Sequence, residues 1–149
     1  MEYNESNFIY LKTTSIEKYY DELVKAEHIY EYFPMITKVI VRKVIEGVLK
    51  NIAEEHYMES NIPALNLLNN IKLNSILCLP KEIYNYMKII LDNGYEYVFR
   101  DNKNKKTSKQ TIEVLEIIHN ILCWYLKKIE PQKMILIKDL SFKAPSTIE

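Results

Sequence analysis

Glycine is almost missing from this chain: Gly47 and Gly94 are the only two among 149 residues. Tight β-hairpins turn through residues that accept positive φ, glycine above all, so an all-β fold would have little to turn with. The same scarcity excludes the glycine-rich loops that cradle phosphates, and neither a GxxxxGK nor a GxGxxG pattern occurs. Cysteine is as rare. Cys78 and Cys123 sit in apolar runs without CxxC spacing, and both read as small reduced core residues rather than a disulfide or metal pair. No HxxxH, HExxH or paired Cys/His spacing is present, so no metal ligand and no cofactor is nominated. Net charge is lacking too, since 20 Lys and Arg cancel 20 Asp and Glu. No global field therefore points to nucleic acid or to a membrane surface. No apolar run approaches the roughly 18 residues of a membrane span. The acidic start Met1-Glu2-Tyr3 is unlike a secretory leader, and the expectation is a cytoplasmic chain.

What is present is helical periodicity. Apolar residues make up 48 % of the chain, enough for one domain with a single core. Met35, Ile36, Val39, Ile40, Val41, Val44, Ile45, Val48, Leu49, Ile52 and Ala53, wound at about 100° per residue, cover more than half of a helix circumference. Arg42, Lys43, Glu46 and Lys50 are left on a narrow polar strip. A helix this apolar is expected at the centre of a bundle, wrapped by its neighbours. Pro34 suits its first turn, where the missing N–H costs nothing. Gly47 costs such a helix about 1 kcal/mol relative to alanine, which close approach of a neighbour would explain.

Around this centre the spacing predicts a first helix capped by Thr14 or Ser15 and running to about Tyr32. Pro63 and Pro80 are expected to open two further helices, the second ending at Asp92-Asn93-Gly94. Residues 100–109 carry five basic side chains against one acidic and read as a solvated loop. A last helix is expected from near Ser108 to about Ile129, closed by Pro131. The resulting expectation is one all-α bundle of about five helices. A short arm over 1–14 would precede a helical domain over 15–130, with an extended tail or linker over 131–149.

Chemistry is sparse. His28 and His56 fall late in the first and central helices, while His119 lies inside the apolar arc of the last helix and reads as a neutral, hydrogen-bonded core residue. No nucleophile with an ordered base can be nominated, so no catalytic residue is assigned. Arg42 and Glu46, one turn apart, read as a structural ion pair. Arg100, Lys103, Lys105, Lys106 and Lys109 form the one local basic cluster. With Tyr95, Tyr97 and Phe99 beside them, they combine charge with the stacking surface that single strands favour.

Several segments also resemble one family in order. Ser6-Asn7-Phe8-Ile9-Tyr10-Leu11-Lys12 resembles the SNFxFLK opening of type I restriction enzyme R subunits and related helicases. Leu23-Val24-Lys25-Ala26-Glu27 resembles their LxxxAE helix, and Phe33-Pro34 with Val41-Arg42-Lys43-Val44-Ile45-Glu46 their DP…LRxxxE segment. Leu67-Leu68-Asn69-Asn70-Ile71, Leu79-Pro80 and Ile83 are similar to the stretch that follows. Ile121-Leu122-Cys123-Trp124-Tyr125 resembles the closing helix, and Phe142-Lys143-Ala144-Pro145 the linker before the next domain.

This N-terminal domain family, itself without a settled function, is distantly similar to the HEPN superfamily of helical RNases and nucleotide-binding proteins. The HEPN signature is an Arg-x-x-Gly-Asn-x-x-x-His-like turn. In this chain Gly94 is kept, but Leu91 stands for the arginine, Tyr95 for the asparagine and Phe99 for the histidine. Leucine and phenylalanine can neither steady a phosphate nor handle a proton. The resemblance therefore implies a HEPN-like, non-catalytic accessory domain of restriction-modification or defence proteins. It would dock on a protein partner or sister domain through helix faces and the turn of Gly94, Tyr95, Tyr97 and Phe99, with a homodimer also in keeping. The alternatives are a nucleic-acid-binding module using the 100–109 loop and a HEPN-like RNase or toxin.

Overall fold

The computed structural model describes residues 6–74, 78–93, 105–137 and 140–145, with the side chains of Asn93 and residues 105–110 left aside. The chain is an all-α bundle. Six α-helices are found among the described residues: α1 (Tyr20–Ile29), α2 (Pro34–Glu55), α3 (Ala64–Leu73), α4 (Lys81–Asn93), α5 (Lys105–Ile129) and α6 (Pro131–Ile135). Two 3-10 turns, Ile9–Thr13 and Glu17–Tyr19, precede them.

Helix α2 is the central element, packed against α1, α3, α4 and α5. Pro34 opens it, and Val41, Val44, Ile45, Val48, Leu49 and Ala53 are fully buried along it. Its wrapping is incomplete. Met35, Ile36 and Val39, expected inside, are exposed, while Thr37 and Lys38 are buried in their place. At 100° per residue the inward line runs through Thr37, Val41, Val44 and Val48, which puts Ile36 and Val39 on the far side of the first turns. That side lies uncovered, and α1 stops at Ile29, short of the expected Tyr32.

The start of α1 also differs from expectation. Neither Thr14 nor Ser15 caps it. The Thr14 hydroxyl turns back to donate to the Leu11 carbonyl at 2.9 Å. Ser15 donates its amide (3.0 Å) and hydroxyl (2.9 Å) to Glu130, between α5 and α6. The chain instead enters α1 through the 3-10 turn, and Asp21 and Glu22 supply the negative charge that its N-terminal dipole favours.

At the other end, α5 begins at Lys105 rather than Ser108, so residues 105–109 are helical and not loop. Lysine and glutamine are good helix formers, and a run of charge does not break a helix as proline or glycine does. Pro131 does not lead into an extended tail. It opens α6, again supplying a first helical turn. The arm is likewise part of the core: Phe8, Tyr10 and Leu11 are buried with the helices. Cys123 is buried as expected, whereas Cys78 is exposed, at a positive φ of 51° in the connection before α4.

Gly47 is explained by a close approach, though of a side chain and not of a helix. A Cβ at this position would overlap Tyr19 Oη and lie 2.9 Å from Tyr19 Cζ. Tyr19 is buried, so its ring has to shift within a packed setting for a Cβ at position 47 to fit. Gly47→Ala therefore trades a helix-propensity gain of about 1 kcal/mol against an overlap costing about 1–3 kcal/mol. The expected outcome in urea denaturation is a net loss of stability. In a Tyr19→Ala background the same substitution should stabilise instead. A cycle without coupling would show that Tyr19 does not set the requirement for glycine.

Candidate functional site

Among the described residues, a dense polar site joins Ser6 and Asn7 to α1 and to Lys143. Glu27 stands at the helical spacing of Leu23 and Tyr30, so α1 turns a carboxylate into the interior, where it is 8 % exposed. A buried carboxylate needs donors. It receives the Ser6 hydroxyl, the Asn7 amide N–H at 3.0 Å and the Asn7 Nδ2 at 2.9 Å. Since a carboxylate only accepts, the Asn7 side chain must turn its NH₂ towards Glu27. Its remaining N–H then donates to the Lys143 carbonyl, and its Oδ1 accepts the Lys143 N–H, both at 2.7 Å.

Beside this knot lies His119, on α5 and 2 % exposed. Its Nε2 is 2.5 Å from the Leu140 carbonyl and its Nδ1 3.2 Å from Tyr10 Oη. Burial keeps the Tyr10 phenol protonated by raising its pKa well above the ordinary value. The phenol can therefore donate to Nδ1 while Nε2–H donates to Leu140, which is the neutral tautomer satisfied on both sides. Phe8 and Tyr10 meet the imidazole edge-on at 6.1 and 5.4 Å between ring centres, and Phe142 is tilted against it at 5.8 Å.

Cys123 Sγ lies 3.6 Å from His119 Nε2, close enough to suggest a thiol–imidazole pair. Burial argues otherwise. It pushes the Cys123 thiol up, against smaller opposing effects of Tyr10 and Lys127, and pushes the imidazole down. A nucleophilic cysteine needs a cation or dipole that favours its thiolate; here both groups are held neutral. His28 is exposed and His56 half-buried, and neither belongs to the cluster.

Arg42 and Glu46 pair at 3.0 Å with side chains 32 % and 40 % exposed, worth only a few tenths of a kcal/mol by itself. Arg42 Nη1 also donates to the Leu91 carbonyl at 3.0 Å, in the last turn of α4. Carbonyls in that turn lack helical partners, and a guanidinium there also complements the dipole. One turn earlier, Lys38 is 4 % exposed, and burial brings its ammonium down to about 8.

A cleft of about 410 Å³ is lined by Tyr19 and Gly47 with Lys18, Lys43, Lys50, Glu22 and Glu46. It is open to solvent, and Lys43 pairs with Glu22 at 3.3 Å across it. Among the described residues, no group of three or more His, Cys, Asp or Glu is placed to hold a metal ion.

Of the residues nominated from the sequence, Gly94, Tyr95, Tyr97, Phe99, Arg100 and Lys103 lie outside the described residues. Lys105, Lys106 and Lys109 fall in the first turns of α5. The structure adds an apolar surface, three of whose residues (Met35, Ile36 and Val39) periodicity assigned to the core. Tyr32, Phe33, Met35, Ile36 and Val39 are 74, 55, 50, 45 and 45 % exposed around the start of α2. Asn7 and Glu27 entered the sequence reading only within the Ser6–Lys12 and Leu23–Glu27 motifs and without a role, although a charged residue at the spacing of Leu23 and Tyr30 was a legible signal.

The lowered basicity of His119 has a definite sign in stability. Its native pKa lies below the unfolded value of about 6.5, so the unfolded chain binds more protons in that range and stability rises with pH. The urea midpoint is expected to hold above pH ~6.5 and to fall as pH drops below it. His119→Gln keeps a donor for Leu140 and an acceptor for Tyr10, and should remove that part of the slope. An unchanged slope would assign the loss to other groups.

Comparison with protein families, with curated proteins and with solved structures gives no match to this chain.

Proposed function

We propose that this chain is a non-catalytic helical interaction domain that docks on a protein partner or a sister domain through the apolar start of α2. The observation that carries this reading is the exposure of Tyr32, Phe33, Met35, Ile36 and Val39 together on one end of the central helix. Scattered apolar residues on a surface need no explanation, but a contiguous set marks an interaction site. Met35 and Val39 are four residues apart and Ile36 and Val39 three, the spacings with which a helix anchors in an apolar groove. The histidine most deeply placed in the fold has both ring nitrogens engaged in structural hydrogen bonds, which favours docking over catalysis. The resemblance of the Ser6–Lys12, Leu23–Glu27 and Val41–Glu46 segments to restriction R subunits supports a defence-related setting for such a domain.

A photo-cross-linking residue at position 36, in the cells that produce the chain, is expected to yield a discrete protein adduct that Val39→Asp abolishes. The same Val39→Asp chain should melt within about 0.5 kcal/mol of the original, because the site is exposed. No adduct, or one indifferent to the introduced charge, would overturn the reading.

One observation favours a second reading, nucleic-acid contact. Lys105, Lys106 and Lys109 stand at the start of the 25-residue α5, where helix amides and dipole already favour an anion. Binding to labelled single-stranded RNA and duplex DNA should then weaken steeply between 50 and 200 mM salt. Replacing Arg100, Lys103, Lys105, Lys106 and Lys109 by glutamine should abolish it, and indifference to that replacement would remove this reading.

A further inference from the structure

The cleft beside Gly47 is built from two opposed walls. Lys18, Tyr19 and Glu22 come from the second 3-10 turn and the start of α1, and Lys43, Glu46 and Lys50 from one line along α2. Residues 43 and 50 are seven apart, so their side chains leave the same side of the helix about 10 Å from each other. At about 410 Å³ the cleft has the size of sites that hold small organic molecules.

Its charges are unevenly satisfied. Glu22 is held by Lys43 at 3.3 Å, and Glu46 by Arg42, which does not line the cleft, at 3.0 Å. Among the described residues no carboxylate pairs with Lys18 or Lys50. Lys18 lies instead over the Tyr19 ring, 5.1 Å from its centre. Two ammonium groups, one on each wall, therefore line the cleft without an anion. Each carboxylate, with one N–H to accept, keeps lone pairs for further donors.

Tyr19 adds a third donor. Its hydroxyl occupies the space a Cβ at Gly47 would need, and this close approach is what requires glycine in the middle of α2. The requirement costs about 1 kcal/mol of helix propensity. Among the described residues the hydroxyl makes no hydrogen bond in return. A phenol placed at the expense of its helix, and bonding nothing in the chain, is a donor left for a ligand.

We propose that this cleft binds a small phosphorylated polyol. Its phosphate is held by the Lys18 and Lys50 ammonium groups and the Tyr19 hydroxyl, and its own hydroxyls donate to Glu22 and Glu46. A phosphate monoester carries about two negative charges, which match the two ammonium groups that lack a carboxylate. Charge-assisted hydrogen bonds of this kind are the stronger ones. The two carboxylates disfavour a ligand that is anionic throughout, and an apolar ligand would strip water from charged walls without replacing it. Hydroxyl groups on a neutral body are what carboxylate acceptors take.

The test is isothermal titration calorimetry on the full chain at low salt, with ribose 5-phosphate, glycerol 3-phosphate, ribose and inorganic phosphate as probes. At least one of the two esters is expected to bind saturably, about tenfold tighter than inorganic phosphate or ribose. Lys18→Gln with Lys50→Gln should weaken that ester by about a hundredfold, whereas Lys128→Gln, an exposed lysine outside the cleft, should not. Both cleft lysines are exposed, so the double variant should melt with the original chain. Tyr19→Phe, which keeps the ring, should cost about tenfold in affinity. No saturable binding of either ester, or binding indifferent to the loss of both lysines, overturns the site. Inorganic phosphate binding as tightly as the esters overturns the polyol as ligand. Ile36 and Val39 are untouched in all these variants, so this proposal and the docking reading can each fail alone.

Discussion

A carboxylate buried on α1 sets the terms for both ends of the chain. Glu27 cannot leave water without donors, and no helix neighbour on α1 offers them. Ser6 and Asn7 do, which brings the first described residues down onto α1 and commits Phe8, Tyr10 and Leu11 to the core. Orienting Asn7 in turn presents an amide to Lys143, 136 positions away in sequence. One buried charge thus closes the N-terminal segment, α1 and the C-terminal segment around α5. Each hydrogen bond in the set would be modest alone, but leaving one partner buried and unpaired costs more than the bond contributes.

The core solves a different problem, that of covering one long apolar helix with shorter ones. Helix α2 spans Pro34–Glu55, and α1 spans only Tyr20–Ile29. In the middle Val44, Ile45, Val48 and Leu49 are fully buried, and Tyr19 fills the space that any side chain at Gly47 would need. Coverage fails at the start, where Met35, Ile36 and Val39 face outward. The same helix therefore serves as the centre of the core over most of its length and as an apolar surface over its first turns. That surface is the feature a docking function would use.

Histidine illustrates how placement decides chemistry. His119 combines a nearby thiol, a phenol and a buried setting, the ingredients of a reactive site. Burial nevertheless holds the thiol and the imidazole neutral, and both ring nitrogens are engaged in holding the Tyr10 and Leu140 segments. The residue joins elements far apart in the chain. The Arg42–Glu46 pair acts similarly on a smaller scale, since its guanidinium reaches past Glu46 to the end of α4.

Local periodicity was enough to determine the all-α class, the central position of α2, its opening at Pro34, and the inward direction of His119. Those properties follow from spacing along one helix and from the missing N–H of proline, both of which are local. The scarcity of glycine similarly disfavoured β-hairpins before any contact was known. Tertiary structure alone decided the rest. Whether Ile36 or Lys38 faces the core depends on which neighbours cover the first turns of α2, and that Pro131, after α5 ends at Ile129 as expected, opens a further helix depends on how the chain turns at Glu130. The meeting of Asn7, Glu27, His119 and Phe142 depends on hydrogen bonds and ring contacts between segments remote in sequence, which no pattern within a single helix encodes.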